Sequence, residues 1–523
     1  MCPTFINNSR NHGSTLQSVR PELVEGASTG SARTGFVGRA PMPVTGALPE
    51  RGRDPQEILD ALAQFGEHDP HYKNGRLWSL VYYLNEDYHA FQGQAYQQFA
   101  SANGLNPTAF KSLKRFENDI IATTSALHHG TPEVCGVVTS GGTESCLLAV
   151  KTYRDMARAT RGVRRPEMVL ARTAHVAWLK ASDYFGVSIR WLELDAQLRA
   201  DVGRLDKLIN RNTVMVLGSA PEYPHGTIDP IAAMAAIAQR RGVPLHVDAC
   251  VGGFILPFME MNGVNLPPWD YRVAGVTSIS ADLHKYGYAS KGVSTITYRT
   301  LEILKHQMFV SADWPGGVFA SPALLGTRPG GAYAAAWAAL QYFGTAGYRD
   351  LALRTMQAFE RMRAGVLAMP ELCVLGDPSG PLLAYGARNK AVNMFAVGDQ
   401  MELRGWQVNR LQQPDGLHAM ITAQHLDVMD DYLRDLRSSV DAALADPTLA
   451  DKGGAATYGM MAHIPLRGMV RGRVLDMFAN LYRPGGGEID LAAAGTPSGS
   501  DTTHTHAPLV ERLARWFVRL RQR

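Results

Sequence analysis

Apolar and polar positions along the chain change rhythm several times. From Asp54 to Ala126 apolar residues recur mostly at helical spacing, and Asp54-Pro55-Gln56-Glu57 reads as a helix N-cap with proline in the first turn. Extended Gly/Asn/Pro stretches at Asn74–Trp78 and Asn103–Pro107 interrupt this pattern, and loops of that kind often contribute site residues. From Pro132 to Arg299 short apolar runs alternate with helical patterns. The runs predict strands over Cys135–Thr139, Met168–Ala171, Val214–Ser219, Pro244–Asp248, Val276–Ser280 and Ser294–Tyr298. Helices are predicted over Glu144–Thr160, Ala174–Gly186 and Ile231–Arg241. That alternation predicts an α/β fold, a mostly parallel central sheet flanked by helices, with its ligand site at the carboxyl ends of the strands. Beyond Gly344 a helix over Tyr348–Met369 opens a smaller α+β segment that runs to Leu481.

The expected organisation is therefore an arm over 1–50, an N-terminal helical segment over 51–130, a large domain over 131–345, a small α+β C-terminal domain over 346–485, and a linker with a terminal helix over 486–523. The arm is rich in Ser, Thr, Gly, Arg and Pro without periodicity, which predicts disorder. It has no apolar stretch of the signal-peptide kind. Its Ser18–Gly26 segment resembles a translated intergenic repeat, which makes Met42 an alternative start. The terminal segment spaces Leu509, Leu513, Trp516, Phe517 and Leu520 at helical intervals, with arginines over much of the other face. Either an ordinary docked helix or a peripheral contact with anionic lipid follows from that pattern.

Composition only bounds the class. The chain has 523 residues, 46% hydrophobic and 19% charged, with a formal net charge of +4. That is a globular composition without the electrostatic footprint of a nucleic-acid binder. No uninterrupted apolar run approaches the roughly 18–20 residues of a membrane span. The cysteines Cys2, Cys135, Cys146, Cys250 and Cys373 are scattered, with no CxxC pair and no Cys/His ligand cluster, so neither a disulfide framework nor a metal site is expected. A cytoplasmic enzyme is the expectation.

Three stretches carry chemistry, each near a predicted strand end. In Thr139-Ser140-Gly141-Gly142-Thr143-Glu144-Ser145 a strand runs through Gly-Gly into a helix, whose free N–H groups can hold an anion. In Leu245-His246-Val247-Asp248-Ala249-Cys250 the carboxylate of Asp248 ends an apolar strand, where it needs a cationic or hydrogen-bonding partner. In Ser278–Gly287 Lys285 follows a buried-looking strand, where desolvation lowers a lysine pKa and favours Schiff-base chemistry. Each alone has an ordinary structural reading: a tight turn, a loop cap, a surface lysine. Together, phosphate loop, acid and lysine are what pyridoxal phosphate requires. His175 adds a flat ring able to stack on the pyridine face.

These motifs resemble the fold-type I pyridoxal phosphate enzymes of the group II decarboxylase branch, and within it the sphingosine-1-phosphate lyase family. The matching text includes Pro224-His225-Gly226-Thr227-Ile228-Asp229-Pro230, His246 through Phe254, Gly275 through Gly292, Asp313-Trp314, Gly326-Thr327-Arg328-Pro329-Gly330-Gly331 and Tyr458-Gly459-Met460. The resemblance implies Lys285 as the lysine tied to the cofactor aldehyde, Asp248 as the pyridinium partner and His175 as the stacking residue. It implies Gly142, Thr143 and His284 as contacts of the cofactor phosphate. Thr327 would reach the phosphate held by a neighbouring subunit, which implies a homodimer with shared sites. Lys291 and Tyr458 would lie near the substrate phosphate, and Tyr288 or Tyr458 would join Lys285 as candidates for returning a proton. Two positions depart from the pattern: Asn106 stands where a histidine is usual, and Trp78 is aligned with a usual tyrosine, both in the expected substrate region. The implied reaction is retro-aldol cleavage of a phosphorylated sphingoid base to a fatty aldehyde and phosphoethanolamine. The alternative is amino-acid decarboxylation with the same cofactor machinery.

Overall fold

The structure, a computed structural model, describes residues 48–463 and 467–482. Most of the expected arm, the alternative start at Met42 and the linker with its terminal helix lie outside the described residues.

Three helices come first: α1 (Pro55–Phe65), α2 (Glu86–Gln98) and α3 (Lys111–Leu127). α1 starts as the sequence predicts, with the Asp54 carboxylate accepting the Gln56 N–H at 2.8 Å and proline in the first turn. Seven strands then form one sheet: β1 (Cys135–Thr139), β2 (Glu167–Ala171), β3 (Ser188–Leu192), β4 (Thr213–Ser219), β5 (Leu245–Asp248), β6 (Val276–Ala281) and β7 (Ser294–Tyr298). Their order is β1-β7-β6-β5-β4-β2-β3. The pairs from β3 through β6 are parallel, and β7 runs antiparallel to both β1 and β6. Helices α4 (Gly142–Arg161), α5 (Val176–Phe185), α6 (Val202–Leu208), α7 (Ile231–Arg240) and α8 (Leu256–Met261) connect the strands, and α9 (Leu301–Lys305) follows β7. Two apolar clusters cover the sheet, one including Val247, Ile279 and Leu283, the other including Leu148, Met168, Trp178 and Met215. This is an α/β fold with a mostly parallel sheet buried between helices.

After the hairpin β8 (Phe309–Ser311) and β9 (Phe319–Ser321) comes the long helix α10 (Gly330–Leu367). It begins well ahead of the predicted Tyr348. Gly344, at φ 52° and ψ −170°, joins two helical stretches, and the predicted helix corresponds to the second. That left-handed φ suits glycine. A second sheet, in the order β10-β11-β13-β12, is made of β10 (Leu372–Val374), β11 (Leu382–Ala387), β12 (Asn409–Leu411) and β13 (Gly416–Met420). It packs with α11 (Met394–Leu403) and α12 (Met429–Ala445) around a core that includes Phe359, Tyr385, Trp406 and Leu417. Helices α13 (Gly453–His463) and α14 (Arg467–Leu481) end the described chain.

Candidate active site

The carboxyl ends of β1, β4, β5 and β6 open onto a cavity of about 230 Å³, lined by Gly142, Thr143, His175, Asp248, His284 and Lys285 together with Cys146, Ser219, Pro221, Tyr223, Cys250, Val251 and Asp282. Six of the residues singled out in the sequence therefore meet in one place. The meeting point is where a parallel sheet leaves strand ends and helix starts side by side.

The turn from β1 into α4 leaves the α4 N-terminus without a side-chain cap, so its backbone N–H groups are free for an anion. Gly142 is required by space. A Cβ there would fall 2.7 Å from Asp282 Oδ2 and 3.0 Å from Cys250 Sγ. Glu144 braces this turn with one carboxylate oxygen, which accepts the Ser140 N–H at 2.6 Å. Its other oxygen accepts the Leu324 N–H at 2.8 Å, from the segment after β9.

Asp248 ends β5 fully enclosed. Burial opposes its charge, but the Trp178 indole N–H at 2.8 Å and the Cys250 N–H at 3.1 Å hold its pKa below the usual carboxylate value. His175 caps α5, its Nδ1 accepting the Ala177 N–H at 3.2 Å. That bond leaves the proton of the neutral ring on Nε2, and burial lowers the pKa further from charge. His284 bonds the Val293 carbonyl oxygen through Nδ1 at 2.6 Å, and burial also lowers its pKa.

Lys285 corrects the expectation of a lowered pKa. Burial pulls in that direction, but Asp282 Oδ2 lies 2.9 Å from Nζ and outweighs it, so the pKa rises above the ordinary lysine value. Asp282 is itself fixed by the Ser294 hydroxyl at 2.5 Å. Lys291 lies beside this group, its Nζ donating to the His284 carbonyl at 3.2 Å and standing 5.2 Å from the Tyr82 ring centre. Desolvation and the neighbouring Lys285 push its pKa down to about 8.

Other expected site residues are placed elsewhere. Trp78 is corrected from substrate contact to core: it is 0% exposed, stacked on His425 at 4.1 Å between ring centres and packed against Trp406 and Tyr432. A large apolar ring near the start of the chain is buried here by the second sheet's core. Asn106 lies away from the cavity of its own chain. It is exposed, and its side-chain oxygen accepts from Thr108 N at 3.0 Å, Thr108 Oγ1 at 2.7 Å and Ala109 N at 3.2 Å, a local turn clasp. Thr327 is exposed and accepts from Asn103 Nδ2 at 3.2 Å, away from its own chain's cavity. Tyr458, on α13, lies 4.9 Å beneath the Arg410 guanidinium and packs on Phe395, and it is not brought to the cavity. Tyr288 is buried behind Tyr82, its hydroxyl oxygen accepting the Ala423 N–H at 3.4 Å.

The sequence reading missed several neighbours. Tyr82 stands against Tyr286 at 5.0 Å and close enough to Lys285 and Asp282 to feel both charges; burial keeps its phenol protonated. Tyr223 lines the cavity edge-on to His175. Asp282 was legible in principle, as a carboxylate three residues before the lysine. Cys146 and Cys250, scattered in the chain, come together with Asp248, their ligand atoms all within 4.8 Å.

Residues 112–387 match the pyridoxal-dependent decarboxylase conserved domain. The sphingosine-1-phosphate lyase of Arabidopsis thaliana is 41% identical over 447 residues, 84% of this chain and 81% of that protein. Sphingosine-1-phosphate lyase 1 of Rattus norvegicus is 40% identical over 416 residues, 79% of this chain and 73% of that protein. Among solved structures, the sphingosine-1-phosphate lyase of Burkholderia pseudomallei superposes with a TM-score of 0.75 at 37% identity, covering 83% of this chain and 96% of that one. A glutamate decarboxylase of Lactobacillus brevis shares the fold, with a TM-score of 0.66 at 21% identity.

The cavity fits the cofactor in the matched domain's name. Gly142 leaves room beside uncapped N–H groups for a phosphate, a buried anionic Asp248 suits a protonated ring nitrogen, and Lys285 offers an amine to an aldehyde. Site, fold and identity across most of the chain agree: this protein is a pyridoxal phosphate-dependent lyase belonging to the sphingosine-1-phosphate lyase family.

Proposed function

We propose that the protein cleaves a phosphorylated sphingoid base between Cα and Cβ, releasing a fatty aldehyde and phosphoethanolamine. The carrying observation is the identity of about two residues in five to curated sphingosine-1-phosphate lyases over most of the chain, joined to a complete cofactor cavity. Bound pyridoxal phosphate supplies an aldehyde that captures the substrate amine and a protonated ring that withdraws electrons from the breaking bond.

The chain's own residues do the rest. The α4 N-terminus with Gly142, Thr143 and His284 holds the cofactor phosphate. Asp248 keeps the ring nitrogen protonated, and the neutral His175 ring packs beside it without adding charge. Lys285 would provide the amine tied to the cofactor aldehyde, and Asp282 holds that nitrogen at 2.9 Å, where it would deliver a proton to Cα after cleavage. Tyr82 and Tyr223, both held protonated by burial, would hydrogen-bond the substrate's hydroxyl oxygen, and the Lys285 amine freed by substrate would accept the hydroxyl proton as the bond breaks. Lys291 offers a cation to the substrate phosphate.

A second copy completes the site in this proposal, with Thr327 reaching the partner's cofactor phosphate. Support comes from the β8–β9 hairpin, where Phe309, Val310, Trp314 and Val318 are 58, 61, 57 and 79% exposed. An apolar surface of that kind needs a cover. Among the described residues no helix is long and apolar enough to cross a membrane.

Incubating the enzyme with sphingosine 1-phosphate and reading aldehyde release is the direct test. Turnover is expected, falling at least a thousandfold in Lys285→Ala. Carbon dioxide release from glutamate or an aromatic amino acid, with no aldehyde, would replace this proposal by decarboxylation.

A further inference from the structure

Two cysteines without a part in the proposed reaction meet at the cofactor cavity. Cys146 lies near the start of α4, and Cys250 follows β5 by two residues. Both line the cavity, and they are 1% and 8% exposed. Their Sγ atoms lie within 4.8 Å of one another. The other described cysteines stand apart: Cys135 on β1 faces the Tyr298 carbonyl, and Cys373 on β10 faces that of Gly386.

Cys250 is also tied to Asp248. Its backbone N–H donates to Asp248 Oδ1 at 3.1 Å. Its thiol donates to Ser280 Oγ at 3.3 Å, and the Ser280 hydroxyl donates to Asp248 Oδ1 at 3.4 Å. The thiol is thus one step of a hydrogen-bonded chain ending on the carboxylate that faces the cofactor ring.

We propose that Cys146 and Cys250 form a dithiol modification site that hydrogen peroxide closes to a disulfide inside the cofactor cavity, loosening the hold on Asp248. In the first step one cysteine sulfur attacks a peroxide oxygen, giving a sulfenic acid and one water. The second thiol then displaces the sulfenic hydroxyl as a second water. The two thiols lose two electrons and two protons in total, and the peroxide is reduced. A disulfide brings the sulfurs to about 2.05 Å, so both side chains rotate toward each other. Cys250 then has no S–H to give Ser280, and the chain to Asp248 opens. Cys250 Sγ also borders Gly142, where an added Cβ would fall 3.0 Å from it. Burial pushes the Cys146 thiol up to about 11, and the Cys146 contact with burial holds Cys250 well above the usual thiol value. Both are therefore mostly protonated at neutral pH, so the attack on peroxide runs through a small thiolate fraction, is slow, and quickens as pH rises.

The test treats the holoenzyme with graded hydrogen peroxide, alkylates it with iodoacetamide, digests it without reductant and maps it by mass spectrometry. A peptide pair joining Cys146 to Cys250, two hydrogens lighter than its parts, is expected. Cofactor absorbance and turnover should fall in step with that peptide, tenfold or more at full closure, and return with dithiothreitol. Cys146→Ser should lose the linked peptide and keep its own untreated activity at the same dose. Absence of the linked peptide, or Cys250 oxidised singly in its place, overturns the proposal. So does an equal peroxide loss in wild type and Cys146→Ser. A linked peptide with unchanged cofactor absorbance overturns the coupling to Asp248. The peptide is read without any substrate, so failure of the sphingoid reading leaves this test standing.

Discussion

Lys285 and Lys291 sit close together yet depart from ordinary lysine behaviour in opposite directions. Asp282, 2.9 Å from Lys285 Nζ, overcomes burial and raises that pKa, whereas Lys291 has desolvation and a like charge beside it and falls to about 8. A lysine with a depressed pKa carries its charge below that value and loses it as pH rises through it. A phosphate ligand should accordingly bind well at pH 7 and weaken above about pH 8. The expected outcome is a KM for sphingosine 1-phosphate that climbs about tenfold per pH unit beyond pH 8, with kcat less affected. Lys291→Arg, whose guanidinium stays charged, should flatten that rise. A KM constant from pH 7 to 9.5 in the unmodified enzyme would remove Lys291 from phosphate binding. At this scale the sequence identified the cavity residues but not their charge states. Lys285 was legible from its motif; the sign of its shift depends on a turn that folds Asp282 back onto it.

Elements were read best where burial leaves an unambiguous pattern. The strands β1, β4, β5, β6 and β7 are mostly buried runs between turns, and their predicted bounds differ from the observed ones by at most one residue at either end, even for β1 at the sheet edge. β3 was missed because Ser188–Leu192 is an edge strand with mostly part-exposed positions and an arginine in the middle. The segment before α2 has no period at all, and there the reading placed Trp78 where the fold puts Tyr82. Two substitutions separate these residues. Trp78→Ala should cost about 3–5 kcal/mol of stability in denaturant titration, as emptied aromatic core sites do, with KM unchanged in the folded fraction. Tyr82→Phe should leave stability within about 1 kcal/mol and lower kcat tenfold or more. Reversed results would return Trp78 to the substrate region.

Across the whole molecule, Thr327 is a residue the sequence could name but one chain does not bring to the cavity. Thr327 lies outside its own cavity, beside an apolar hairpin, and its expected role belongs to a second copy. Mixed dimers test this. Lys285→Ala and Thr327→Ala chains, each weak alone, should regain activity on co-refolding, because the heterodimer holds one site with both residues intact. About a quarter of the wild-type level is the ceiling for random pairing, since half the dimers are mixed and half their sites are whole. No gain over the separate variants would sever Thr327 from the partner's site. The long helix α10 adds a constraint of another kind. Its first stretch gives Ala336, Ala339 and Leu340 to the core beside the seven-stranded sheet, and its second gives Phe359, Met362 and Val366 to the core of the four-stranded sheet. Because both cores pack on this helix, loosening one removes packing surface from the other, and the expected outcome is that a substitution in either core lowers the unfolding temperature of both. Damage around Trp78, which is not among the cavity's lining residues, is then expected to lower the fraction of molecules in which the cavity exists at all.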